Sequence, residues 1–307
     1  MERSDVSGLD IKFSVIYNAM SIKSAVPWQV KIASKVVLSR FPVGYRFWQR
    51  LELFQHGKME RPEYAFQTFK RHFDRSQFAR KEAGFVGVEL GPGDTLFSAL
   101  IAHAFGAAAY YLVDVGRFAR QDTEPYLQMA AYLKEKGLAT PDLSQVTRVD
   151  EIMSACGARY ETDGLNSLRA IPDQSVDFVW SQAVLEHVRR ASFPETMREI
   201  RRILRPDGVA SHQIDLKDHL GGKLNNLRFS ERRWESDFMS RSGFYTNRIR
   251  YKDMLRIFSE SGFKTDVLNA EEWTSLPTPR NKMDTIFRGC SDEELCVQSF
   301  DALLWPV

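Results

Sequence analysis

Val86-Gly87-Val88-Glu89-Leu90-Gly91-Pro92-Gly93-Asp94-Thr95 is an apolar run closed by an acidic residue and followed by a turn with two glycines. Phe85 to Leu90 has the length and composition of a buried strand. Gly91 and Gly93 permit a tight turn and a close approach of backbone to a ligand. From Thr95 to Phe105 apolar residues recur at helical spacing. The next apolar segment, Ala109 to Val113, ends in Asp114, 21 residues beyond Gly93. A carboxylate at that strand end suits both ribose hydroxyls of a nucleoside. The stretch therefore predicts a strand–turn–helix unit with both ends of a nucleoside site.

A dinucleotide fingerprint would need glycine or alanine three residues after Gly93, where this chain has Leu96. NAD and FAD sites use that residue to aim a helix N-terminus at a pyrophosphate. S-adenosylmethionine carries no phosphate, and Glu89 before the turn suits its cationic amino group and sulfonium better than an anion. A nicotinamide-dependent oxidoreductase or epimerase is the competing class, and Leu96 counts against it.

A second informative segment runs Ile171-Pro172-Asp173-Gln174-Ser175-Val176-Asp177-Phe178-Val179-Trp180-Ser181-Gln182-Ala183-Val184-Leu185-Glu186-His187-Val188. It predicts a polar turn, a buried strand and a loop entering a helix. Ile200-Arg201-Arg202-Ile203-Leu204-Arg205-Pro206-Asp207-Gly208-Val209 then reads as a helix end, a proline–glycine turn and a new strand. With Glu89-x-Gly91-x-Gly93 and Asp114, these segments resemble the class I S-adenosylmethionine-dependent methyltransferases over about 130 residues, in the family's order. Two departures are Thr95 in place of a third turn glycine and the wider spacing of Thr162-Asp163-Gly164-Leu165.

The resemblance implies a donor site. Glu89 would face the methionine amino group, Gly91 and Gly93 would admit the donor, and Asp114 would hold the ribose. Asp163 and Leu165 would flank the adenine, and Ser181 and Gln182 would close their strand beside the methyl group. A donor-binding subunit without catalysis is a further alternative.

The 307-residue chain is 43% hydrophobic, enough for one substantial α/β core with extra helices. Its formal charge of +2 gives no argument for nucleic acid as a partner. Three cysteines without metal spacing argue against a disulfide framework, so a cytoplasmic setting is expected. No signal pattern opens the chain and no apolar run reaches the roughly 18 residues of a spanning helix.

Residues 1–83 read as a helical N-terminal extension. Within it, 28–41 is amphipathic and basic, which suits packing on the core or peripheral contact with a membrane surface that carries a lipid-linked substrate. Residues 84–307 read as the methyltransferase domain, with strands near 85–90, 109–114, 158–162, 176–181 and 208–216 alternating with helices. Such alternation predicts a doubly wound sheet. The resemblance adds a Rossmann-like, seven-stranded, mainly parallel order, with Phe263 to Ala270 and Ser299 to Val307 as the last pair and one strand reversed. An acceptor-binding insertion is expected at about 217–262.

In-line methyl transfer to a hydroxyl needs positioning and a base. His212, Asp215, Asp218 and His219 cluster at the end of the strand over 208–216. His219 with Asp215 or Asp218 is the expected base pair, with His187 as rival. Strand alternation keeps the four from converging on a metal, so none is expected. Asp218, Trp234, Tyr245, Asn247, Arg248 and Arg250 are the expected acceptor contacts. The aromatics would stack on a sugar, and the arginines would clamp a phosphate or carboxylate. Similarity to bacterial methyltransferases of surface-glycan and small-molecule biosynthesis suggests a sugar hydroxyl as acceptor.

Overall fold

The computed structural model describes residues 59–76 and 84–307; the segment 28–41 lies outside them. The described residues contain seven strands in one sheet: β1 (Phe85–Leu90), β2 (Ala107–Val113), β3 (Ala158–Glu161), β4 (Val176–Gln182), β5 (Leu204–Asp215), β6 (Phe263–Glu272) and β7 (Val297–Pro306). Their order is β3-β2-β1-β4-β5-β7-β6. The first five run parallel, and β7 lies antiparallel between β5 and β6. This is the Rossmann-like, mainly parallel sheet that the resemblance implies. β1 and β4 are buried along almost their whole length, which is why both read as continuous apolar runs rather than as alternating ones. The strand order reverses between β1 and β4, and such a switch opens a crevice at the carboxyl ends.

One face of the sheet is covered by α1 (Pro62–Arg75), α2 (Phe97–Ala104), α3 (Glu124–Glu135) and α4 (Val149–Ala155). Apolar residues of α5 (Leu165–Arg169), α6 (Phe193–Ile203) and α7 (Tyr251–Glu260) join the core on the other face. α1 starts with Pro62 in its first turn, where the missing N–H costs nothing. Ala65, Phe66, Phe69, His72 and Phe73 then recur on one buried stripe. Phe69 meets Phe105 at 5.4 Å and Trp180 at 5.8 Å, both edge-on. The described part of the N-terminal extension is thus built into the sheet's core.

The motif segments Pro172–Val176 and Arg205–Gly208 meet at the amino ends of the strands, opposite the crevice. Asp177 accepts from Val86 N at 2.9 Å and from Arg205 Nη1 at 2.6 Å. A Cβ on Gly208 would lie 3.1 Å from the Asp177 carbonyl, so that turn needs glycine for close packing.

The described chain divides into two compact units. The sheet unit comprises 59–76, 84–216, 247–276 and 290–307, and the second comprises 217–246 and 277–289. The second has a core of Leu220, Trp234, Met239, Phe244 and Tyr245. The expected insertion at 217–262 therefore ends earlier, at Thr246. The reason is α7, whose Met254 and Phe258 are fully buried in the sheet unit's core beside Phe193. Among the described residues no helix is long and apolar enough to cross a membrane.

Candidate active site

The carboxyl ends of β1, β2 and β3 are tied together by backbone hydrogen bonds. Gly91 N donates to Val113 O at 2.8 Å, and Gly164 N donates to Asp114 O at 2.8 Å. The Asp114 carboxylate is buried and receives Gly93 N on Oδ2 at 3.1 Å and Val115 N on Oδ1 at 2.7 Å. The two turn glycines differ in their surroundings. Both have left-handed backbone, with φ of 63° at Gly91 and 69° at Gly93. A Cβ on Gly91 would meet Val184 at 2.7 Å, whereas nothing among the described residues lies within 4 Å of a Cβ on Gly93. Gly91 thus packs against the loop after β4, and Gly93 borders open space.

Asp163 is exposed at the end of β3, and Leu165 is half-buried beside it. Val115, next to Asp114, is 80% exposed, a large apolar side chain beside that carboxylate.

Glu89 is 3% exposed and accepts a short hydrogen bond from Ser98 Oγ. Burial, helped by the Asp114 charge, pushes its carboxyl up to about 8. Among the described residues no cation pairs with it, so a cationic ligand group is what would hold it ionised. Together with open space above Gly93 and the Asp114 carboxylate, this suits a nucleoside carrying a positively charged tail. S-adenosylmethionine fits these residues.

At the end of β4, Ser181 and Gln182 face opposite sides of the sheet. Ser181 is fully buried, with Oγ 2.7 Å from His212 Nδ1. Burial, then the Arg75 charge, pushes His212 down to about 3, so its ring is neutral. Its Nε2 has no hydrogen-bond partner among the described residues. Gln182 is half-buried and bonds to Arg71, His72 and Gln213.

The residues expected on the acceptor side are mostly interior. Asn247 is 1% exposed; its Nδ2 donates to Leu185 O at 2.9 Å and Val188 O at 3.0 Å, and its Oδ1 accepts from Ile249 N. That amide braces the loop after β4. Arg250 is 2% exposed and donates to the carbonyls of Leu216, Leu295 and Val297. It ties the end of β5 to the start of β7. Arg248 is buried with φ of 57°. In the second unit, Trp234 donates to Thr246 O, and Tyr245 donates to Glu235 Oε2. Both aromatics are core rather than open stacking faces. Asp218 receives Leu220 N on Oδ1 and Asn225 N on Oδ2, which fixes its own loop. His187 is exposed in the turn Leu185–His187, His219 is half-buried in the second unit, and Asp215 is half-buried at the last position of β5. β5 continues as a strand through Asp215, so His212 and Asp215 take opposite faces, as alternation requires.

Residues 88–211 match the family model described as a methyltransferase domain. That span runs from β1 into β5 and takes in Glu89, both turn glycines, Asp114, Ser181 and Gln182. No curated protein matches the chain. Among solved structures, the YcgJ protein from Bacillus subtilis is 15% identical, covers 76% of this chain and 97% of its own, and has a TM-score of 0.41. Phosphoethanolamine N-methyltransferase 2 from Haemonchus contortus, in complex with S-adenosyl-L-methionine, is 14% identical and covers 78% of this chain and 53% of its own, with a TM-score of 0.43. Residues 88–211 of the sheet unit are thus a methyltransferase domain, and S-adenosylmethionine is its methyl donor.

Proposed function

We propose that the enzyme methylates a hydroxyl oxygen of a small-molecule or glycan acceptor, with a sugar as the preferred class. The observation that carries this reading is the polarity of Gln182 at the end of β4. Its carbonyl takes two donors and one amide hydrogen goes to Gln213, which leaves a second N–H without a partner among the described residues. A hydroxyl oxygen has two lone pairs and can accept this N–H while it attacks, whereas the nitrogen of a neutral amine has one lone pair and needs it for the attack.

Glu89, Gly91, Gly93, Asp114, Asp163 and Leu165 would hold the donor from its amino group to its adenine, with Ser181 and Gln182 at the methyl end. When bound, the donor supplies an electrophilic methyl group on a sulfonium. His219 or exposed His187 would take the hydroxyl proton. The buried Asn247 and Arg250 would act by shaping the loops of the sheet unit, and Trp234, Tyr245 and Asp218 by shaping those of the second unit.

The test is methyl transfer from radiolabelled donor across a panel of nucleotide-linked sugars, lipid-linked sugars, free amines and carboxylates. Label on a sugar hydroxyl is the expected result. Label confined to amines would overturn the hydroxyl assignment.

A further inference from the structure

Gln182, the last residue of β4, is held by side chains that belong to none of the motifs read from the sequence. Its Oε1 accepts from Arg71 Nη2 at 2.7 Å and lies 3.2 Å from His72 Nε2. Its Nε2 donates to Gln213 Oε1 at 3.0 Å. Arg71 and His72 stand near the end of α1, 111 and 110 residues away in the chain.

The donors behind these contacts fix the direction of every bond. Arg75 Nε donates to Ser211 Oγ at 2.8 Å, and Arg75 Nη2 is 2.9 Å from His72 Nδ1. Ser211 Oγ is also 2.9 Å from His72 Nδ1. A guanidinium only donates, so Nδ1 must offer its lone pair, and the ring proton then sits on Nε2. That proton faces Gln182 Oε1. His72 is fully buried, and burial followed by the Arg75 charge holds it well below the usual histidine range. Its ring therefore stays neutral. Arg75 is itself anchored, with Nη1 2.8 Å from Asp301 Oδ1. The Gln182 amide can sit only one way round, because turning it would set its NH2 against two N–H donors.

We propose that Arg71 and His72 are positioning residues of the transfer site, which commit the Gln182 carbonyl to α1 and leave the amide hydrogen as the group offered at the end of β4. This rests on the donor reading above, which places Gln182 beside the methyl group. With Arg71 in place the sulfonium meets no open carbonyl; once Arg71 is removed, the carbonyl can turn to the cation.

The experiment compares the affinities of the full-length protein for S-adenosylmethionine and for its demethylated product, S-adenosylhomocysteine, by calorimetry. Arg71 is exposed, so Arg71→Ala should fold, and its thermal midpoint is checked alongside. The ratio favouring S-adenosylmethionine should rise about fivefold in Arg71→Ala and return with Arg71→Lys, which keeps a donor. In a Gln182→Leu background Arg71→Ala should leave the ratio unchanged. His72→Asn, measured in the same way, should move the ratio in the same direction as Arg71→Ala. An unchanged ratio in Arg71→Ala, with both ligands bound as tightly as before, overturns the proposal while the donor reading stands. So does an equal rise in the Gln182→Leu background, because loss of the Arg71 charge alone would explain it. If the unaltered protein binds neither ligand, the donor reading fails, and the proposal fails with it.

Discussion

Gly93 donates its amide to Asp114 Oδ2 at 3.1 Å, so the turn after β1 and the end of β2 form one piece across 21 residues of sequence. The same carboxylate also receives Val115 N. Asp114 therefore shapes the turn before any ligand arrives, and its carboxylate is the proposed partner of the ribose hydroxyls. Asp114→Ala should weaken S-adenosylhomocysteine binding about a hundredfold, the loss of roughly two charge-assisted hydrogen bonds. Calorimetric titration checks it, and undiminished affinity would move the donor site away from β2.

Gly91 and Gly93 should separate stability from binding. Gly91→Ala places a Cβ 2.7 Å from Val184 in addition to its left-handed strain, so the loop after β4 must shift. Gly93→Ala carries only the strain, about 1–2 kcal/mol, because nothing described lies near its Cβ. The expected outcome is a larger fall in melting temperature for Gly91→Ala. Gly93→Ala should instead lose donor affinity, through a methyl group on the side proposed for the donor. Equal effects of the two on both quantities would remove the distinction.

Asp177 and Arg205 carry much of the family resemblance, yet they meet at the end of the sheet away from the crevice. Asp177→Ala strands the Val86 amide and the Arg205 guanidinium. It should cost about 1–3 kcal/mol in chemical unfolding and leave the donor affinity of the folded protein unchanged. A hundredfold loss of affinity at unchanged stability would contradict this assignment.

The strand pattern was legible because buried parallel strands leave continuous apolar runs, and the turn because positive φ favours glycine. What the sequence concealed is where polar side chains spend their hydrogen bonds. Asn247, Arg250 and Trp234 look like ligand contacts by residue type, but each is consumed by backbone carbonyls of its own unit. Tyr245 is consumed in the same way by Glu235. The end of the insertion was misplaced because α7 reads as polar until Met254 and Phe258 are seen on one face. His72 left one signal, a histidine inside the apolar stripe of α1, but its partners Ser211 and Gln182 are too distant in sequence to be inferred from it.

The proposed place of Glu89 in the donor site predicts a pH dependence. An unfolded glutamate titrates near 4.5, while burial, first, and Asp114 raise the folded carboxyl to about 8. Between those values the folded chain holds a proton that the unfolded chain has released, so this group's contribution to stability falls as pH rises through the window. The slope is at most about 1.4 kcal/mol per pH unit. Glu89→Gln, which stays neutral, should flatten the decline of melting temperature between pH 5 and 8. A cationic donor tail next to Glu89 favours the ionised carboxylate, so binding should expel the proton. Near pH 7, titrations with S-adenosylmethionine in buffers of different ionisation heat should show the release of up to about one proton. Donor affinity should rise with pH toward 8. In Glu89→Gln the release should vanish. Proton release that persists in Glu89→Gln would assign it to another group and would leave Glu89 with only its bond to Ser98.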